Sequence, residues 1–292
     1  MHPCPVRGCC YTGAVMARQR LGQHFLADAG WREEIARAIR VSPESIAPTP
    51  RGDGAGLCWV EIGPGHGEMT EHLAGTGAPV WAIELDPKLA AGLRGLAKRF
   101  PNLKIVTADV LATDLRELAS GRRVRVYGNL PYYITSPILH HLFASAEIID
   151  EIDIVIQHEV ALRLVAEPGS RDYGYLSVVT RYYSRPELVL EIPKSAFAPP
   201  PEVSSALVTL RLPGLRAKLG LTDENAFLGF VKGCFSQKRK TLANNLKGRF
   251  GVQAVKEALT TLRLRADARA EQLSVNEMAA LFEALAEQAR QA

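Results

Sequence analysis

Between residues 58 and 157 the chain repeats one pattern: a short apolar run, a turn, then a stretch with helical spacing. Residues 58–62, 80–84, 103–107, 124–127 and 152–157 read as strands. Residues 68–74 and 87–99 read as helices, the second with proline in its first turn. Strands alternating with helices predict an α/β fold with a doubly wound, mostly parallel sheet, because each parallel step needs a crossover. In such sheets ligands lie beyond the carboxyl ends of the strands. The residues that close each strand therefore carry the functional information.

The first strand runs into Glu61-Ile62-Gly63-Pro64-Gly65-His66-Gly67. Glycines there let the backbone approach a ligand closely, although a lone glycine cluster is more often an ordinary strand-to-helix turn. The spacing is G-x-G-x-G, which is neither the G-x-G-x-x-G of pyrophosphate-binding dinucleotide enzymes nor a Walker loop. Glu84 closes the second strand twenty-one residues after Gly63, near the ~20 expected of an acid that accepts from both ribose hydroxyls. Asp109 follows the third strand, where a carboxylate suits an adenine amine. Asp is common in loops, so its weight comes from sharing this strand-end position with Glu84. Asn129-Leu130-Pro131-Tyr132 follows the fourth strand. An exocyclic aromatic amine is a poor nucleophile, because its lone pair is delocalised into the ring. The Asn129 amide oxygen and the Leu130 carbonyl can accept its two protons, and Tyr132 can stack on the base. A rigid proline turn with a buried tyrosine leaves the amide at a ligand-facing strand end unexplained.

Residues 160–165 and 176–183 have helical spacing. Residues 187–192 and 203–212 read as strands on either side of the stiff Phe197-Ala198-Pro199-Pro200-Pro201 loop. After Thr222 the strand signal stops, and 226–235, 242–250, 252–262 and 274–289 carry helical spacing. Ser274 and Glu277 form a capping box for the last of these. A boundary near Pro213-Gly214 separates an α/β unit, 16–212, from a helical C-terminal unit, 213–292. Residues 1–15 read as a disordered tail or an over-extended start before Met16.

Charge is sorted along the chain. Glu61, Glu68, Glu71, Glu84 and Asp86 share a stretch without Lys or Arg, which suits a cationic ligand. Lys232, Lys238, Arg239, Lys240, Lys247 and Arg249 share a stretch without acids, which suits an anion. Five cysteines, an odd number without zinc-ligand spacing, point to a reduced, cytoplasmic protein without a metal. No apolar run approaches the roughly 20 residues of a membrane span. His140-His141 lack partners at metal spacing, Tyr182-Tyr183 read as core and surface neighbours, and Cys234 as a small core residue.

The strand-end residues together resemble class I S-adenosylmethionine-dependent methyltransferases of the amino type. The likeness narrows with Leu21-Gly22-Gln23-His24-Phe25-Leu26, Gln157-His158-Glu159-Val160-Ala161 and Tyr173-Gly174-Tyr175-Leu176-Ser177. The run from Phe197 to Val208, the Gln237-Lys238-Arg239-Lys240-Thr241 segment with Asn244-Asn245, and Arg269-Ala270-Glu271-Gln272-Leu273-Ser274 extend it. In this order they resemble the ribosomal RNA adenine dimethyltransferase family, and most closely its bacterial branch that dimethylates two adjacent adenines near the end of small-subunit RNA. The likeness runs from about Arg18 to the last helix, sparing the tail and the 48–56 loop.

The resemblance implies a Rossmann-like class I methyltransferase fold with a small helical C-terminal domain. It implies S-adenosylmethionine as cofactor and small-subunit ribosomal RNA, within the assembling 30S particle, as partner. His24 and Leu26 would contact the methionine side of the cofactor, Gly63 the cofactor from the glycine loop, Glu84 its ribose and Asp109 its adenine. Asn129 would contact cofactor and target amine, Leu130 and Tyr132 would complete the target site, and Phe197 would stack on the opposite face of the extruded adenine. The family commonly has Asn where His24 stands, so a backbone contact is expected there, and Asp is frequent where Ser204 stands. Charge runs are usually solvated helix faces, but Lys238, Arg239, Lys240, Lys247 and Arg249 are expected to bind the RNA backbone, with Arg122, Arg123 and Arg125 adding to them. The sequence gives no oligomeric signal, so a monomer is expected. The alternatives are a methyltransferase of large-subunit RNA, a non-catalytic assembly factor, and a nicotinamide dehydrogenase, which the glycine spacing opposes.

Overall fold

The computed structural model describes residues 24–41 and 56–291. The tail 1–15, the start at Met16, the Leu21-Gly22-Gln23 part of the first motif and most of the 48–56 loop lie outside them. The strands are β1 (Phe25–Leu26), β2 (Leu57–Ile62), β3 (Val80–Glu84), β4 (Leu103–Thr107), β5 (Arg123–Asn129), β6 (Ile149–Gln157), β7 (Arg185–Ile192), β8 (Phe197–Ala198) and β9 (Ser205–Arg211). The helices of the first half are α1 (Ala29–Ala38), α2 (Thr70–Gly75), α3 (Pro87–Gly92), α4 (Arg94–Arg99), α5 (Leu115–Ala119) and α6 (Thr135–Phe143). Those that follow are α7 (His158–Val165), α8 (Tyr175–Tyr183), α9 (Arg216–Leu219), α10 (Glu224–Cys234), α11 (Leu242–Phe250), α12 (Val252–Thr261) and α13 (Val275–Gln291).

Seven strands form one sheet in the order β4-β3-β2-β5-β6-β9-β7. β2 to β6 run parallel, as their alternation with helices predicts, and β9 is antiparallel to both β6 and β7. The chain moves outward from β2 to β4, then returns to place β5 on the other side of β2. That reversal opens a crevice between the carboxyl ends of β2 and β5, where doubly wound sheets bind ligands.

Apolar residues cover both faces of the sheet. Val60, Val126, Ile154 and Val208 belong to one buried cluster, and Trp59, Val155 and Leu207 to the other. The second face also carries a polar belt. Glu61, Tyr127, Asp153 and Thr209 lie side by side across four strands. The Thr209 hydroxyl donates to Asp153 at 2.6 Å. Burial, followed by the charge of Glu151, raises the Asp153 carboxyl above its usual range. The C-terminal helices bury Phe227, Phe230, Met278 and Leu281 in the first cluster. Ring contacts of Tyr182 with Phe227 at 5.2 Å, and of Phe227 with Phe282 at 5.7 Å, tie them to α8. Ser274 caps the last helix, accepting from Glu277 N at 3.3 Å while Glu277 accepts from Ser274 N at 2.7 Å.

Two of the departures from the sequence pattern have a visible cause. The helix expected over 87–99 is two short helices with Leu93 at the junction, and Gly92 and Gly95 beside it weaken helical continuity. β6 begins at Ile149 rather than Ile152, because Asp150 and Glu151, poor strand residues alone, have cations waiting on β5. Arg123 pairs with Asp150 at 2.6 Å, and Arg125, buried over the Trp59 ring, pairs with Glu151. Arg123 and Arg125 are thus spent inside the sheet, which corrects the expectation that they join a nucleic-acid surface.

Candidate active site at the carboxyl ends of the strands

β2 delivers the chain to Gly63, whose N–H donates to the Ile83 carbonyl at 3.0 Å. Gly63 and Gly65 take φ of +67° and +61°, left-handed values that glycine adopts without strain. A Cβ on Gly65 would also lie 2.9 Å from the Phe25 ring, so this turn is closed to larger residues. Glu84, 2% exposed, holds the loop from β3. One carboxylate oxygen accepts from Gly65 N at 3.2 Å and the other from Asp86 N at 2.9 Å. A carboxylate has about four lone-pair positions, so both oxygens keep accepting capacity. Asp109 accepts from Leu111 N at 2.9 Å and caps a single 3-10 turn, Val110–Ala112.

Asn129 is the last residue of β5. Its Nδ2 donates to the His24 carbonyl at 2.9 Å, so Oδ1 is the end left to accept from a ligand. Leu130 N donates to the Val155 carbonyl at 3.0 Å, which anchors the turn to β6. Tyr132 is held by a hydroxyl contact to Ser205 at 3.1 Å and by stacking on the His24 ring, with centroids 5.8 Å apart and planes 24° apart.

The segment carrying His24 was legible only as a motif, and its fold role is new. Phe25 and Leu26 pair antiparallel with Ala198 and Phe197. His24 Nδ1 lies 2.7 Å from the Pro199 carbonyl. A carbonyl only accepts, so Nδ1 carries the proton in this contact. The segment is a strap that joins the Phe197 loop to Asn129. Leu26 and Phe197 are each 3% exposed, so their side chains sit within the cluster beneath the strap rather than on the cavity wall.

Two cavities meet here. One is lined by His24, Gly63, Asn129, Leu130 and Tyr132. The other is lined by Glu84, Asp109, Ile83, Ile138 and Tyr133. Gly63 and Pro131 line both. The crevice therefore has an amide end and a carboxylate end joined at the glycine loop. Tyr133, 55% exposed at the rim of the carboxylate end, had no separate signal in the sequence beyond following Tyr132. Glu61 lies below the loop, 2% exposed, and burial pushes its carboxyl up to about 8.

Lys238, Arg239, Lys240, Lys247 and Arg249 are all exposed. Ten other arginines make ion pairs with carboxylates, from Arg40 to Arg265, but none of these five cations does among the described residues. Lys238 Nζ donates to the Arg171 carbonyl at 2.7 Å, and Arg249 lies over the Phe250 ring at 5.0 Å. No described helix is long and apolar enough to cross a membrane.

Residues 14–287 match the model of the ribosomal RNA adenine dimethylase family. A protein of Acidobacterium capsulatum named ribosomal RNA small subunit methyltransferase A is 40% identical over 270 residues, covering 92% of this chain and 91% of that one. Its namesake in Koribacter versatilis is 38% identical over 281 residues, covering 92% and 94%. The crystal structure of the 23S rRNA methyltransferase ErmE superposes with a TM-score of 0.63 at 28% identity, covering 90% of this chain and 99% of that one. A dimethyladenosine transferase from Plasmodium falciparum shares the fold, with a TM-score of 0.70 at 23% identity over 88% and 96% of the two chains. A match of this extent settles the fold as that of the class I methyltransferases, and the chain belongs to the ribosomal RNA adenine dimethylase family.

Proposed function

We propose that the chain transfers methyl groups from S-adenosylmethionine to the N6 amines of two adjacent adenines in the 3′-terminal hairpin loop of small-subunit (16S) ribosomal RNA. The product is N6,N6-dimethyladenosine, made while the 30S particle assembles, by a monomer in the cytoplasm. The observation that carries this reading is Asn129. Its NH₂ is committed to the His24 carbonyl, and its oxygen is left beside a cavity that Tyr132 also lines. The names of the relatives support small-subunit RNA as the substrate.

The crevice fits the cofactor chemically. Glu84 keeps accepting capacity for ribose hydroxyls, and Asp109 stands among Ile83, Val110 and Ile138, a setting suited to a planar base with an amine at its edge. Gly63 meets nothing within 4 Å where a side chain would begin, so its backbone is open to close approach. His24 and Leu26 would offer backbone groups at the amide end. When bound, S-adenosylmethionine supplies a methyl group on a sulfonium, an excellent leaving group.

The chain's own residues do the rest. The target adenine leaves its stack at a cost of a few kcal/mol, and an unpaired loop lowers that cost. Asn129 Oδ1 and the Leu130 carbonyl accept hydrogen bonds from the two N6–H groups, which turns the nitrogen lone pair out of the ring plane. Tyr132 holds one face of the base. Phe197 would hold the other after swinging out of its cluster. The methylated N6 is cationic until it loses one proton to water; one N–H then remains, and a single acceptor suffices to orient the amine again. Positioning of two bound reactants supplies most of the acceleration. Lys238, Arg239, Lys240, Lys247 and Arg249, in the helical unit 213–292, bind phosphates and carry no base specificity.

The test is transfer from labelled S-adenosylmethionine to separate small and large ribosomal subunits, the small ones lacking the modification, with nucleoside analysis and Asn129→Ala as control. Dimethyladenosine at two adjacent adenines, lost in the variant, is the expected result. Label on large-subunit RNA alone, or tight binding without transfer by both proteins, would refute the proposal.

A further inference from the structure

α6 leaves the Asn129–Tyr132 turn and presents Ser136, Pro137 and His140 outward. Spaced by three and four residues, these share one side of the helix. His140 stacks on Tyr175, the first residue of α8, with centroids 5.8 Å apart and planes 27° apart. Both rings are half-buried. Neither α6 nor α8 contains an acid, and Asp172 is the one acid between Arg171 and Tyr183.

Cations flank this aromatic pair. Lys232, exposed in the last turn of α10, joins burial in holding the His140 imidazole below its usual pKa. The pair is therefore neutral at physiological pH, and the positive charge lies beside it. Lys238 reaches back to the Arg171 carbonyl and so fastens the acid-free loop 236–240 to the turn that leads into Tyr175. Two further N–H groups of its ammonium stay available. Tyr173 makes the support rigid, with its ring edge-on to Phe235 at 6.2 Å and its hydroxyl donating to the Leu273 carbonyl at 2.9 Å.

Neutral aromatic rings with unpaired cations around them are the combination that single-stranded RNA recognises, bases on the rings and phosphates on the cations. The rise from Thr135 to His140 is only about 8 Å, which keeps this surface close to the reaction loop. We propose that the His140–Tyr175 pair is the stacking platform for an unpaired base flanking the target adenines, with the adjoining phosphates on Lys232 and Lys238. This inference rests on the reading of small-subunit RNA as substrate.

The experiment compares wild type with Tyr175→Ala, Tyr175→Leu, Tyr175→Phe and His140→Ala. It measures affinity for an unmethylated transcript of the 3′-terminal region of small-subunit RNA, KM for unmethylated small subunits, and S-adenosylmethionine affinity. Loss of a stacked base should raise Kd and KM by about 5- to 100-fold in the Ala and Leu variants. Turnover at saturating RNA and cofactor affinity should stay within about twofold of wild type by the same reasoning. Tyr175→Phe keeps the ring and should bind as wild type does. Tyr175→Leu fills the half-buried space without an aromatic face, so it separates stacking from folding. RNA affinity retained by Tyr175→Leu would overturn the proposal. So would a defect seen with small subunits but not with the transcript, which would assign the surface to a ribosomal protein. A wild type that neither binds nor methylates small-subunit RNA would overturn the substrate reading first, and is recognised without any variant.

Discussion

Glu61 closes β2 two residues before Gly63, and no described group reaches its Oε2. Burial is the main reason its carboxyl rises to about 8; the Thr70 hydroxyl opposes the rise, and Glu68 and Glu84 add to it. In the unfolded chain the same group titrates near 4.5. Between these values the native protein holds a proton that the unfolded chain releases. The unfolded state then binds fewer protons, so stability falls as pH rises from 4.5 through about 8. At about 1.4 kcal/mol per pH unit, the whole gap sets a ceiling of about 5 kcal/mol. Glu61→Gln keeps the shape and removes the titration. Its advantage over wild type should grow by about 3 kcal/mol between about pH 5.5 and 8.5. At about 2 °C per kcal/mol, the difference in Tm should widen by about 6 °C. Circular dichroism melts of the two proteins, at matched ionic strength across that range, make the measurement. Asp153, also raised by burial, slopes both proteins in the same direction and cancels in the difference. A difference that stays flat with pH, or narrows as pH rises, would refute the reasoning.

Glu84→Ala strips the Gly65 and Asp86 N–H groups of their acceptor and removes the carboxylate proposed for the ribose. S-adenosylmethionine should bind about 10- to 100-fold more weakly in calorimetric titration, and unchanged affinity would exclude the assignment. Reversing charge at Lys238, Arg239 and Lys240 together should weaken RNA binding and flatten the slope of log K against log salt by about 2 to 3. Filter binding over a salt series reads both, and an unaltered slope would remove these residues from the phosphate contacts.

The parts of this fold that could be read in the sequence are those encoded locally. Gly63, Glu84, Asp109 and Asn129 each stand at or just past the end of a strand, and a parallel sheet brings all such positions to one edge. Their convergence on two joined cavities follows from that rule alone. What escaped was encoded across distance. Asp150 and Glu151 look unlike strand residues until Arg123 and Arg125 arrive from β5. The anchor of Asn129 is a backbone carbonyl, that of His24, 105 residues away, and a carbonyl leaves no mark in sequence. Leu26 and Phe197 carry motif identities, yet their burial depends on a two-stranded pairing across more than 170 residues. Glu61 looked like one more acid of the glycine loop, and only its burial reveals that it is held neutral near pH 7.

That last point changes how charge can act in the crevice. The acidic stretch 61–86 suggested a broadly negative site, but its members are not equivalent. Glu61 is held protonated by burial, Glu71 is paired with Arg99 at 2.8 Å, and Asp86 caps α3. Glu84 and Asp109 remain on the cavity wall. Two carboxylates there favour a cation and repel a phosphate chain. The cations without a carboxylate partner among the described residues lie elsewhere, Lys232 beside His140 and Lys238 against the Arg171 carbonyl. A polyanion is thus drawn to the helical face and discouraged from the crevice, so that only an uncharged base has reason to enter. The proposed transfer removes the positive charge of the cofactor, and with it the part of the attraction that these carboxylates supply. On that proposal the same two side chains that would help to select the reactant would hold the spent product less strongly, and release for a second methylation would need no separate device.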